Sequence, residues 1–170
     1  KRQIRSFISR GQEKVIGSRD GLFYINEATG MVKSFVKPVL TSDLILTISF
    51  YQGEYYIGTY GGGMMVLNPE TLSLKYFSQS DTELFQKGHI FCVKPDTKGN
   101  LWIGTSQGLF NYNGQTKQIK HFTSANSQLL EGNVYEVSFD STGKGWIATE
   151  TGMCIYDPAS QNLRSNVFPE

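Results

Sequence analysis

The sequence predicts an all-β protein made of four tandem units, each with four antiparallel strands. Its 170 residues include 18 glycines, 5 prolines and 13% aromatic residues, which favours many short strands joined by tight turns. Four segments also share one skeleton, in which two apolar residues precede a small residue and then Ser or Thr. These segments are Val15–Ser18, Tyr56–Thr59, Trp102–Thr105 and Trp146–Thr149.

A glycine before a large apolar residue follows each skeleton and sets the period of the repeat. These glycines are Gly21, Gly63, Gly108 and Gly152, which lie 42, 45 and 44 residues apart. Further columns keep the same register: Asn or Asp five residues after the glycine, Thr or Ser eight after it, and Lys or Arg twelve after it. A period of about 40–50 residues with four strands per unit is typical of the blades of a β-propeller and excludes helical repeats.

We place the four blades at about residues 1–37, 38–79, 80–124 and 125–170 and interpret the chain as a fragment of a larger β-propeller. The strands of a blade are called A to D. In the third blade we predict them at Ile90–Lys94, Leu101–Thr105, Leu109–Tyr112 and Gln118–Phe122. Strand B contains consecutive apolar residues, as expected when neighbouring blades cover both faces of a sheet. A small residue recurs in this strand, so a neighbouring blade could approach the backbone there (Gly17, Gly58, Gly104, Ala148).

Two further patterns are interpreted as structural. The segments Asp96–Trp102 and Asp140–Trp146 share the order Asp-x-x-Gly-x-x-Trp. In such a turn the Asp accepts backbone N–H bonds while the Gly adopts a positive φ. The basic column of the D strands is interpreted as protection of an exposed sheet edge rather than as an anion site (Lys33, Lys75, Lys120, Arg164).

The residue types present do not predict a cofactor, a metal site or a catalytic centre. The chain has two histidines, His89 and His121, and two cysteines, Cys92 and Cys154, which are too few for a zinc site or a disulfide framework. We expect both cysteines to be reduced and dispensable. The run Tyr60–Gly63 lacks the Lys-Ser/Thr of a phosphate loop and is interpreted as a widened B–C turn.

Charge and apolar pattern exclude two classes of partner. The formal net charge is +1, so the chain has no long-range field that would draw it onto nucleic acid or an anionic membrane. Apolar stretches such as Leu44–Phe50 are far shorter than the about 20 residues of a membrane-spanning helix. We therefore expect no nucleic-acid binding and no direct membrane insertion. The chain starts at Lys1 rather than Met, so we expect targeting information to lie outside this segment.

Candidate ligand-binding residues follow from the blade layout. In a propeller the B–C turns and the loops that lead into the A strands lie on one face, and pockets form on such loops. Aromatic and planar polar groups on this face suit a sugar, which offers an apolar ring face as well as hydroxyls. The B–C turns contribute Arg19, Asp20, Tyr60, Gln107 and Glu150, and the lead-in loops contribute Asp43, His89 and Asn133.

The third repeat resembles a known family. The run Leu101–Tyr112, LWIGTSQGLFNY, resembles the two-component regulator propeller repeat, whose core reads LWIGT-x-x-GL. The run Tyr56–Gly63 is similar to a glycine-rich variant of that repeat, and Asn126–Val134 is similar to its linker between blades. The resemblance covers essentially the whole chain and is weakest in the first copy, where Val15 and Ser18 replace Trp and Thr.

This resemblance implies a piece of the periplasmic sensor region of a hybrid two-component histidine kinase. Many members of the family detect oligosaccharides and switch on the genes that use complex polysaccharides. The segment itself carries no kinase motif, so we expect a non-catalytic module that recognises an oligosaccharide or another small ligand. Two rival interpretations are a glycan-active propeller enzyme, sialidase-like or lyase-like, and a protein-interaction scaffold.

The end blades predict self-association. The apolar pairs Val15–Ile16 and Trp146–Ile147 indicate that the first and last blades still require a neighbour on each face. Soluble monomers avoid large exposed apolar faces. We therefore expect a homodimer, most simply two chains that complete an eight-bladed ring through two equivalent contacts.

Overall fold

A computed structural model describes residues 3–77 and 83–166, and these form four four-stranded sheets and one helical turn. The first sheet contains β1 (Ile4–Arg10), β2 (Glu13–Ser18), β3 (Gly21–Asn26) and β4 (Met31–Phe35). The second contains β5 (Ile45–Tyr51), β6 (Glu54–Thr59), β7 (Met64–Leu67) and β8 (Leu74–Tyr76). The third contains β9 (Ile90–Pro95), β10 (Asn100–Thr105), β11 (Gly108–Asn113) and β12 (Ile119–Phe122). The fourth contains β13 (Val134–Phe139), β14 (Gly145–Thr149), β15 (Gly152–Asp157) and β16 (Asn162–Asn166).

The strands of each sheet are hydrogen-bonded in chain order, as antiparallel neighbours. This confirms the all-β fold of four four-stranded units. In the third sheet the predicted strands match to within one residue at each end. The helical turn α1 (Leu84–Lys87) was not predicted, because a single turn has no measurable helical periodicity. The predicted boundary at residue 79 lies outside the described residues, and the blade boundaries stay predictions.

The chain divides into two compact units, residues 1–90 and 91–170. In the first unit, one core joins the first and second sheets. Val15, Leu22 and Tyr24 of the first sheet pack with Ile45 and Ile57 of the second.

In the second unit, the third and fourth sheets share a core of the same kind. Trp102 and Leu109 of the third sheet pack with Val137, Ile147 and Cys154 of the fourth. The ring of Trp102 stacks on Phe122 and contacts Tyr156 of the next sheet at a centroid distance of 4.5 Å.

The small residue of the B strand in the first and third sheets allows the next sheet to pack against the backbone, as predicted. A Cβ at Gly17 would lie 2.4 Å from Cγ2 of Ile45, which begins the next A strand. A Cβ at Gly104 would lie 2.7 Å from the carbonyl oxygen of Val134 and 2.6 Å from Sγ of Cys92. Real Cβ atoms do not tolerate such distances, so glycine is required by the approach of the neighbouring sheet.

The hydroxyl at the end of each B strand closes the B–C turn. It donates to the carbonyl oxygen of the glycine that opens strand C, at 2.8–3.1 Å (Ser18, Thr59, Thr105, Thr149). In three of the turns it also accepts a backbone N–H, from Asp20, Gly62 and Gln107. The Ser/Thr and Gly columns of the repeat therefore form one local device that holds the turn rigid.

The Asp-x-x-Gly-x-x-Trp pattern is a structural clamp, as predicted. Asp96 accepts the backbone N–H groups of Lys98 and Asn100 and the Nε1–H of Trp102, the last at 2.9 Å. Gly99 has a φ of 79° in this turn. The clamp fixes the indole nitrogen of Trp102, and the ring itself packs in the core.

Candidate ligand-binding surface

The B–C turn and the lead-in loops of the first unit interlock through backbone groups. The hydroxyl of Ser42 donates to the carbonyl oxygen of Tyr60 at 2.8 Å, and that of Thr41 donates to the carbonyl oxygen of Gly62 at 2.6 Å. The N–H of Gly63 donates to the carbonyl oxygen of Gly88 at 3.0 Å. The turn is thereby held between two lead-in loops, which gives its side chains a fixed platform.

Each glycine of the widened turn has a physical reason. Gly61 and Gly63 have φ values of 78° and 71°, which side chains disfavour. A Cβ at Gly62 would lie 2.6 Å from Oγ1 of Thr41. The run is therefore a turn shaped by packing against loops, in agreement with its interpretation from sequence.

Tyr60 and His89 come together on this platform. Their rings stack with centroids 4.0 Å apart and an interplanar angle of 25°. Tyr60 is 50% exposed, while His89 is half-buried beneath it. A flat ring held from behind and open to solvent on its other side is suited to stack against an apolar ligand face.

The other predicted residues of the first unit differ in their exposure and in their hydrogen bonds to the protein. Arg19 is exposed and its Nη1 donates to Oε1 of Gln3 at 3.3 Å. Asp20 is exposed at the tip of the first B–C turn. Asp43 is half-buried and its Oδ1 accepts the N–H of Lys37 at 2.9 Å, so this carboxylate stabilises its own loop. Tyr60 and His89 are therefore the best-organised pair of this set.

In the second unit the structure joins Asn133 to Glu150. Oε2 of Glu150 accepts both the backbone N–H of Asn133 and its Nδ2, at 3.2 and 3.1 Å. The Nδ2 of Asn133 also donates to the hydroxyl of Tyr135, which the sequence analysis did not select. Tyr135 is exposed and its ring meets Phe91 edge to face. These groups form an exposed polar network at the start of the fourth sheet.

Gln107 lies apart from this network and borders a cavity of about 330 Å³ with Leu130 and Glu131. Its carbonyl oxygen is 2.7 Å from Nε2 of His121. His121 stacks on Phe110 with ring centroids 3.9 Å apart, so this exposed histidine supports the turn rather than standing free in solvent.

The remaining ionisable groups do not form a reactive centre among the described residues. Burial raises the pKa of Cys92 to about 12 and also raises that of Cys154, whereas a nucleophilic cysteine needs a lowered pKa. Both cysteines are free and buried. Glu136 on β13 forms an ion pair of 3.0 Å with Lys94 on β9. No group of three His, Cys, Asp or Glu side chains in residues 3–77 and 83–166 could hold a metal ion.

Comparison with known proteins agrees with this architecture. The family profile described as two-component regulator propeller matches residues 85–107. The chain carries a two-component regulator propeller repeat. No curated protein sequence matches the chain. Within the described part of the chain, no helix has the length and apolar character that crossing a membrane requires.

Solved structures with the same fold include extracellular domains of signalling proteins. One belongs to a putative hybrid two-component system of B. thetaiotaomicron, with 26% identity and a TM-score of 0.73 over 98% of this chain. Another from the same organism has 20% identity and a TM-score of 0.76 over 99% of this chain. A computationally designed protein has 14% identity and a TM-score of 0.65, over 90% of this chain and 89% of that one.

The chain spans 22% of the length of each of these two extracellular domains. The likeness to these domains shows a shared propeller fold.

Proposed function

We propose that this segment is a non-catalytic ligand-recognition module in the periplasmic input region of a hybrid two-component histidine kinase, and that its ligand is an oligosaccharide. In this proposal the ligand biases the kinase and so controls genes for polysaccharide use. The observation that carries the ligand class is the Tyr60–His89 stack, whose outer ring is half exposed on a rigid turn.

A sugar ring suits this arrangement for two reasons. Its C–H face packs on an exposed aromatic ring, and its hydroxyls pair with polar groups placed around that ring. In the same unit, Arg19 and Asp20 supply exposed donors and acceptors on a neighbouring B–C turn. Because these turns are fixed by backbone hydrogen bonds, binding would cost little ordering of the protein.

Calorimetry with a panel of oligosaccharides from digested plant and microbial polysaccharides tests this proposal. Tyr60→Ala should weaken binding of any glycan that binds by about tenfold or more, since loss of one aromatic stacking contact costs about 1–2 kcal/mol. Tyr76→Ala removes a tyrosine of similar exposure from a D strand of the same unit and should leave affinity unchanged. Release of shorter sugars by the native protein, or unchanged affinity in Tyr60→Ala, would contradict the proposal.

We also propose that a second copy of this chain covers the free faces of the end sheets. Trp102 of the third sheet is 1% exposed under the fourth sheet, whereas its equivalent Trp146 is 39% exposed. On the first sheet Phe7 is 58% exposed, and it pairs with Ile16, whose equivalent Ile147 is fully buried. The two free faces are thus equivalent to the two sides of the interface between the third and fourth sheets, which supports a second copy as the occupant.

A further inference from the structure

A polar groove lies in the second unit between the outer strands of the third sheet and the C–D hairpin of the fourth. It contains a cavity of about 610 Å³. Five carboxamide side chains line it: Asn100, Asn111, Asn113, Gln118 and Gln161. Ile119 is the one aliphatic side chain among its lining residues. Tyr156 adds one aromatic ring, and the other lining side chains are polar, which is unlike the packed contact between two sheets.

Asn111 is the residue that the fold does not explain. It lies on β11 at a position where the other sheets carry Tyr24, Val66 and Ile155. Its Nδ2 is buried and has no hydrogen-bond partner among the described residues. A buried donor without an acceptor costs about 1–3 kcal/mol, and native proteins hold few of them. An apolar residue would satisfy the packing of this column, so the carboxamide serves another purpose.

The charges around the groove favour an uncharged ligand. Lys98 and Lys120 are the ionised groups that line the cavity. Nζ of Lys98 donates to the carbonyl oxygen of Pro158 at 3.3 Å, and Nζ of Lys120 lies 4.8 Å from the ring centroid of Phe122. Both ammonium groups are therefore engaged by the protein and do not converge on one anion.

The groove also continues beyond this cavity. A second cavity of about 700 Å³ shares Lys120 and Gln161 with the first, and its lining adds the amides Gln128 and Asn162 and one charge of each sign, Asp157 and Arg164. The shared residues make the two cavities one path along the outer edges of the two sheets. Such a path fits an extended ligand with several residues rather than a single small molecule.

We infer that this groove is a second binding site for a neutral oligosaccharide, with Asn111 as a ligand-contacting residue. The amides of Asn100 and Asn113 bond to Asp96 and to each other. Those of Asn111, Gln118 and Gln161 each carry a donor and an acceptor on one plane, which matches the neighbouring hydroxyls of a sugar. A small rotation about the soft terminal torsion of Asn111 gives its Nδ2 a ligand acceptor. A bound peptide would need pockets for alternate apolar side chains, and the lining does not supply them. The inference rests on the proposed function for the class of ligand but concerns a different surface.

Calorimetry and side-chain amide NMR with tetrasaccharides of glucose, xylose, mannose and galactose test the inference. At least one should shift the Nδ2 resonance of Asn111. Asn111→Val places the residue of the second sheet in the column and should lower affinity for that sugar about tenfold. The same variant should raise Tm by about 2–4 °C, because the unsatisfied donor is removed. Gln115→Ala, an exposed amide of the adjacent turn, is the matched control and should change neither quantity.

The outcomes separate this inference from the proposed function. If no tetrasaccharide shifts the Asn111 resonance, or if Asn111→Val binds as tightly as the native chain, the groove is not a glycan site. Loss of binding in Tyr60→Ala together with full binding in Asn111→Val would overturn the groove site and keep the turn surface. The reverse pattern would support the groove site and reject the turn surface. Binding of tetra-alanine but of no sugar would overturn it as well.

Discussion

The hydroxyl of Tyr55 on the second sheet donates a hydrogen bond of 2.7 Å to Oε2 of Glu13 on the first. The other carboxylate oxygen of Glu13 accepts the hydroxyl of Tyr24 at 2.5 Å. Both tyrosines are buried, and burial followed by the neighbouring carboxylate raises the pKa of each phenol. Glu13, whose side chain is partly buried, therefore ties the two sheets of the first unit together through the hydroxyls of two buried tyrosines.

Glu13→Ala should lower the free energy of unfolding by about 2–3 kcal/mol, because it leaves two buried hydroxyls without an acceptor. Tyr55→Phe should cost about 1 kcal/mol, and the double variant should lose less than the sum of the two. Urea denaturation measures all three. Glu27→Gln is the control: the exposed Glu27 forms an ion pair with the partly buried Lys14, and its loss should change stability by less than about 0.5 kcal/mol. Strict additivity of Glu13→Ala and Tyr55→Phe would contradict the shared bond.

The two Asp-x-x-Gly-x-x-Trp clamps should differ in importance. Asp96→Ala leaves the Nε1–H of the buried Trp102 without its acceptor and should cost about 2–3 kcal/mol. Asp140 caps its turn in the same way, but its indole partner Trp146 is exposed, so Asp140→Ala should cost less. Thermal unfolding of the two variants checks the order. Equal losses would mean that the turn, and not the indole contact, carries the effect.

Much of this fold was predictable because one repeat restates the same constraints four times. The C–D turns illustrate this point: Asn26, Asn68, Asn113 and Asp157 each accept the N–H two residues later. A single Asn-Thr pair would predict such a turn weakly, but its recurrence in register makes it decisive. The same holds for the Ser/Thr and Gly columns of the B–C turns.

Features that depend on one residue in one blade were not predictable. One position between strands C and D has a positive φ in all four sheets. Only the first sheet has a glycine there, Gly30, so the sequence indicates this conformation in that sheet alone. The other sheets carry Leu72, Lys117 and Gln161. The groove around Asn111 was also missed. Its signal was present, since a carboxamide interrupts an apolar column, but only the structure shows that the amide is unsatisfied beside a cavity. The predicted turn-face residues stay predictions, with Tyr60–His89 and Asn133–Glu150 now paired.

Gly104→Ala should destabilise the second unit by about 1–3 kcal/mol. The added methyl would meet Sγ of Cys92 and the backbone of Val134, so the fourth sheet would have to move away. Ala148→Gly, at the equivalent position of the last sheet, is the control and should cost at most about 1 kcal/mol from chain entropy. Denaturant midpoints provide the comparison. A neutral Gly104→Ala would show that the sheets are free to separate.

Alkaline pH should weaken the protein through Cys92. Burial, aided by the charge of Glu136, raises the pKa of this thiol from 9.0 to about 12. Its contribution to stability is present below pH 9, where the thiol is protonated in both states. It is lost as pH rises toward 12, because the unfolded chain then releases a proton that the folded chain retains. Cys92→Ala should flatten the decline of the unfolding free energy between pH 9 and 11, whereas Val93→Ala should lower it at every pH with the slope unchanged.

Self-association should depend on the free faces of the end sheets. The exposed Phe7 and Val32, the latter 67% exposed, lie on the face of the first sheet that turns away from the second. Phe7→Lys and Trp146→Lys each place a charge in one half of the proposed contact. Each variant should convert a dimer into a monomer at micromolar concentration, because an unpaired charge in an apolar contact is costly to desolvate. Tyr76→Lys changes an exposed D-strand residue outside both faces and should stay dimeric. Light scattering measures the mass. A native chain that is strictly monomeric and folded would refute the proposed pairing, and a dimer that survives both face variants would place the contact elsewhere.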